Sequence, residues 1–138
     1  MDILIAIFNA PHWIDAETMQ IESFPGTPLL SKLQLPVAHL VADELRGKGF
    51  KVGESVFRRK GCFTETEVQV NGKALSFSVG WIYKEKHWEI ALWPEWTSEP
   101  PPNHENDLQE LEGLRQMMDE IMQRDPRISH IEWHKEEY

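Results

Sequence analysis

Val68-Gln69-Val70-Asn71-Gly72-Lys73-Ala74-Leu75-Ser76-Phe77-Ser78-Val79-Gly80-Trp81 is the stretch that decides the fold. Apolar residues recur at every second position on both sides of Asn71-Gly72, the period of a strand with one buried face. Asn and Gly both tolerate the positive φ that a two-residue type I′ turn demands. Closing that turn sets Val70 against Lys73 and Val68 against Leu75. Leu75, Phe77, Val79, Trp81 and Tyr83 then share one face, while Ala74, Ser76 and Ser78 take the other. Beyond Lys84-Glu85-Lys86, a third strand begins with Trp88, Ile90 and Leu92 in phase. The stretch predicts an antiparallel meander over 64–93 with one apolar face.

The flanks supply the other elements. Asp2 to Phe8 reads as a strand apolar on both faces, hence central or covered. Thr18 to Phe24 alternates weakly and predicts a short strand, followed by a turn at Pro25-Gly26-Thr27-Pro28. Pro36 suits the first position of a helix, where its missing N–H costs nothing. Val37, Leu40, Val41 and Leu45 give that helix an apolar stripe, and Gly47 or Gly49 stops it. Phe50 to Phe57 predicts a strand, and Arg58-Arg59-Lys60-Gly61 a loop. Pro94 to Asn103 reads as irregular. A second helix follows over 104–124, with Asn103 or Asn106 as cap and Leu108, Leu111, Leu114, Met118 and Ile121 or Met122 as its buried stripe. Asp125-Pro126 ends it, and Ile128 to His134 predicts a last strand. The sum is one α+β domain over 1–138: a mostly antiparallel sheet with two main helices, 36–47 and 104–124, packed on one face.

Composition narrows the function. The chain has 138 residues, 41% of them apolar, enough for a single core. Its net charge is −9, from 23 acidic and 14 basic residues, which argues against non-specific binding to nucleic acid and suits a partner with a basic surface. No run approaches the ~20 apolar residues of a membrane span, and Ile3 to Phe8 is too short for a secretory signal. Cys62 is alone, so no intrachain disulfide forms; these features together predict a soluble cytoplasmic protein. A lone thiol between Gly61 and Phe63 reads as structural.

Catalytic motifs are missing. There is no Gly-x-Ser-x-Gly elbow, no paired Cys and His, and no phosphate loop; Gly47-Lys48-Gly49 lacks the spacing and reads as a helix stop. Glu65 with Glu67, and Glu132 with Glu136, are spaced for same-face exposure. His130, Glu132 and His134 alternate along a strand and would converge as two imidazoles and a carboxylate, the donor set of a zinc site. The same alternation turns Ile131 and Trp133 inward, so the reading taken is a solvated face with no metal, and no cofactor is expected. Trp81, Trp88 and Trp133 fall in phase with strand interiors. Trp13, Trp93 and Trp96 do not, and Trp93-Pro94-Glu95-Trp96 leads to Glu99. Aromatic residues rimmed by acids are what an interaction surface needs, against the simpler reading that they cover a sheet edge. Trp13, Trp93, Glu95, Trp96 and Glu99 are therefore the candidate partner-binding residues.

The order of Val37 to Phe50, a meander ending Val79-Gly80-Trp81 and Trp88-Glu89-Ile90, a helix, then Ile131-Glu132-Trp133-His134 resembles small uncharacterised bacterial α+β proteins. In general style it is similar to the immunity proteins of bacterial toxin systems. That resemblance implies a non-enzymatic protein-binding module, an inhibitor of a basic toxin or nuclease. The alternative is a small enzyme or ligand-binding protein with its site on the concave face of the sheet. A homo-oligomer is compatible with either.

Gly72→Val places a β-branched residue where φ must be positive, and is expected to destabilise by about 1 kcal/mol or more. Chemical denaturation checks this, and an unfolding midpoint equal to that of the unmodified chain would remove the turn assignment.

Overall fold

The structure is a computed structural model and describes residues 2–23, 26–94 and 104–137. Strand β1 (Asp2–Asn9) leads through a 3-10 turn (Pro11–Trp13) to the short helix α1 (Ala16–Met19) and the long helix α2 (Thr27–Gly47). Strands β2 (Lys51–Val52), β3 (Val56–Arg58), β4 (Phe63–Val70), β5 (Lys73–Ile82) and β6 (His87–Pro94) follow. Helix α3 (His104–Arg124) and strand β7 (Ser129–Glu137) complete the fold. Among the described residues no helix is long and apolar enough to cross a membrane.

The central hairpin forms as the turn chemistry requires. Asn71 has φ 51° and Gly72 φ 79°, and Val68 opposes Leu75 while Val70 opposes Lys73. All pairings are antiparallel, in the order β2-β4-β5-β6-β1-β7, with β3 also beside β4. Strand β1 lies between β6 and β7, and burial of Leu4, Ala6 and Phe8 on one face and of Ile5 on the other explains why it is apolar on both sides. Leu4, Ala6 and Phe8 join Val68, Phe77, Val79, Trp88, Ile90 and Leu92 in the core beneath α2 and α3.

Helix α2 starts at Thr27 rather than at Pro36. Pro28 occupies its first turn, and Pro36 sits in its interior. An internal proline removes one backbone hydrogen bond and costs about 3 kcal/mol. Burial on both sides of Pro36 offsets that cost, because Leu30 and Leu33 upstream are as buried as Val37, Val41 and Leu45 downstream. A polar clamp adds to it. Gln34 is fully buried; its Nε2 donates to the Cys62 carbonyl at 3.0 Å and its Oε1 accepts from the Thr64 hydroxyl at 3.0 Å. The clamp ties α2 to β4 and to the loop before it.

Three other elements differ from the sequence reading. Thr18 to Phe24 forms no strand in its described part, because Asp15 caps α1 by accepting a hydrogen bond from the Thr18 N–H at 2.7 Å. Phe50 to Phe57 breaks into β2 and β3 around Gly53-Glu54-Ser55, where the Gly53 N–H still reaches the Glu67 carbonyl at 2.9 Å. In β7 the register shifts between Ile7 and Asn9 of its partner: Ile7 faces Glu132 and Asn9 faces Ser129. Two residues, His130 and Ile131, therefore oppose Phe8, and His130 takes φ 55° in the resulting bulge.

Gln34→Leu keeps the volume but leaves the Thr64 hydroxyl without its partner in a buried site, and is expected to cost about 1–3 kcal/mol. Adding Thr64→Val should recover part of that loss. Equal urea midpoints for the unmodified chain and Gln34→Leu would show that the clamp contributes nothing.

Candidate functional site

Helices α2 and α3 cover one face of the sheet, and the residues between the core positions form the other. The strand pairings lay this second face out in rows. His134, Ile5, Ala91, Ser78, Glu65 and Val56 make one row across six strands. Glu132, Ile7, Glu89 and Gly80 make a neighbouring row, and Trp93, Ser76 and Glu67 belong to a third.

The centre of this face is built from small residues. Ser76 is fully buried and Ser78 is 9% exposed, flanked by Ala91 and Gly80. Phe63 on β4 and Trp93 on β6 have ring centroids 6.2 Å apart, at 86° to each other. Strands two apart in a sheet are separated by ~10 Å, so the two rings lean toward each other over β5. Ser76 and Ser78 are the small side chains of β5 on that side, and the Phe63 ring also lies over Gly61, where a Cβ would come within 2.5 Å of it. The alternation of Ala74, Ser76 and Ser78 thus serves packing as well as marking a polar face.

Acidic groups surround the aromatic pair. Glu65, Glu67, Glu89, Glu132 and Glu136 all fall on this side, against Lys51 and Arg58 as permanent cations. Arg58 bonds Glu65 at 3.0 Å, His134 lies 3.4 Å from Glu136, and His87 lies 4.0 Å from Glu89. Five carboxylates against two fixed cations leave the face negative. Val56, 42% exposed in the edge strand β3, adds an apolar border.

The sequence-predicted residues separate. Trp93 is on this face. Glu95, Trp96 and Glu99 lie outside the described residues. Trp13 packs against the core at the end of the sheet, with the Arg127 guanidinium 4.6 Å from its ring centre and His12 edge-on at 5.3 Å. Its contacts are those of a packing residue that seats the segment before β7. The bulge interrupts the alternation that would align His130 with Glu132 and His134, and among the described residues no three His, Cys, Asp or Glu side chains group as metal ligands. Trp133 turns inward as expected and donates from Nε1 to Asp119 of α3 at 2.9 Å. Phe63 was not foreseen. Its role depends on strand order, and nothing local in Gly61-Cys62-Phe63 announces it.

No protein family, curated protein or solved structure matches this chain.

The Arg127 guanidinium that stacks on Trp13 also grips Asp125, with Nε to Oδ1 at 2.9 Å and Nη2 to Oδ2 at 2.8 Å. Those bonds hold the Asp125 carboxyl below its ordinary range, and the Thr18 backbone N–H does the same for Asp15. A carboxyl depressed in the folded state stabilises the fold above the unfolded range and loses that contribution as pH falls through its folded pKa. Asp125→Asn should therefore lower the thermal midpoint at neutral pH and flatten its fall between about pH 5 and pH 2. Parallel melts across that range check this, and identical acid limbs would show that the pair contributes nothing to stability.

Proposed function

We propose that this protein is a binding module whose sheet face opposite the helices docks a basic protein surface. One observation carries the reading: the sheet face opposite the helices sets the Phe63–Trp93 pair among five carboxylates. Five full strands at ~4.8 Å spacing, each about eight residues at ~3.3 Å, give a face on the order of 600 Å², with the short β2 and β3 at its edge. A standard protein interface takes about 800 Å² from each partner, so the face is of suitable size. The aromatic pair supplies the anchor that binding energy concentrates on, and the acids supply attraction over distance. The resemblance to immunity proteins suggests the form of the activity, inhibition of a basic toxin or nuclease by covering its active site. The net charge of −9 suits such a partner.

The two parts of the surface should separate kinetically. Trp93→Ala removes the anchor and should shorten the complex lifetime by roughly tenfold or more while leaving the association rate nearly unchanged. Reversal of Glu65, Glu67 and Glu89 to Lys should mainly slow association and erase its dependence on salt. Binding kinetics at two salt concentrations, with a partner captured on the unmodified protein, read both effects. Unchanged kinetics in both variants would remove this face as the docking surface.

A further inference from the structure

A hollow of about 350 Å³ opens at the end of the sheet where β1 meets the 3-10 turn and β7 begins. Its size falls in the range of small-molecule sites. Trp81, Trp88, Ile14 and Met19 form apolar walls, and Lys86, Ser129 and His130 stand among the polar lining residues. Among the described residues no carboxylate lines it. Three other hollows each carry at least one: Asp125 beside Leu40, Glu65 beside Gly53, and Asp43 beside His39. In a chain of net charge −9, a hollow lined by no described acid and equipped with an ammonium, a hydroxyl and an imidazole is suited to an anion.

Two further features meet here. The indole N–H of Trp88 donates to the Ala10 carbonyl at 3.2 Å, but that of Trp81, a residue only 5% exposed, is enclosed and has no acceptor among the described residues. A buried donor left unpaired is costly and calls for an explanation. Lys86 and His130 also hold left-handed backbone, with φ 58° and 55°, where glycine would sit without strain. Strained non-glycine residues gather where the side chain is needed. Lys86 spends one of its three donors on the Ile21 carbonyl, which leaves two.

We propose that this hollow binds a small aromatic carboxylic acid, its ring against Trp81 and Trp88 and its carboxylate held by Lys86 and His130. The Trp81 ring is the wall the ligand ring packs on, and the polar contacts come from Lys86 and His130. Binding of this kind is separate from protein docking on the sheet face opposite the helices and does not depend on it.

The test titrates the full chain with benzoate, phenylacetate and indole-3-acetate, and with the neutral amide of each, while following the indole N–H resonances. The expected result is that at least one acid shifts the Trp81 N–H signal and binds about tenfold or more tightly than its amide. Trp81→Ala should weaken binding severalfold, because the apolar wall against the ligand ring is lost. Lys86→Gly relieves the backbone strain, so a folded protein is expected, and it should abolish the preference for acid over amide. An unmoved Trp81 signal with every acid at millimolar concentration would overturn the proposal. So would equal affinity of acid and amide, or a Lys86→Gly protein that is folded and keeps the preference.

Discussion

Everything in this fold depends on β1 finding two neighbours. The strand precedes the other elements in sequence, yet its hydrogen bonds close only with β6 and β7, both far along the chain from it. Ladder bonds on both edges and apolar side chains on both faces make Asp2–Asn9 the seam between the meander and the final helix–strand unit. Without that seam β7 has no ladder, because β1 is its only strand partner among the described residues. The rows of the face opposite the helices exist for the same reason. Ile7 is what sets Glu132 in line with Glu89, and Ile5 is what sets His134 in line with Ala91. Pairings this distant in sequence are slow to form, since loop closure comes before any contact can reward it.

What could be read from the residues follows from how local each signal is. Asn71-Gly72 specifies its own turn, and the alternation on either side specifies the register, so the meander was legible in full. The carboxyl-terminal helix was legible because its apolar stripe has no competing punctuation. Pro36 misled, because a proline is a start signal only when nothing before it is helical. Leu30 and Leu33 show that the stripe already runs through Thr27–Leu35. Asp15 competed with the weak alternation after Thr18 and won, as a side-chain cap supplies a bond that an isolated strand lacks.

The candidate sites were less legible because they are made by pairing rather than by motif. Trp93 was singled out as unplaced in the core, and it lies on the open face. Its partner Phe63 becomes visible only when β4 and β6 are known to flank β5. The His130-x-Glu132-x-His134 pattern assumed an unbroken strand. A single extra residue opposite Phe8 undoes that assumption and turns His130 into a residue of the hollow instead. Bulges of this kind leave no compositional trace in Ser129-His130-Ile131.

Charge divides the molecule in a way that net charge alone conceals. The sheet face opposite the helices carries five carboxylates, whereas among the described residues the hollow at the sheet end carries none. A basic protein approaching the face is drawn by the whole acidic field, and salt weakens that attraction beyond about 8 Å. A small anion approaching the hollow meets the same field as repulsion and is held only by donors at contact distance, which salt screens far less. The two proposed activities therefore respond to ionic strength with opposite sign. An acidic chain can carry an anion site only where local donors outweigh the distant field. A lining with Lys86 and His130 and, among the described residues, no carboxylate is the arrangement that condition demands.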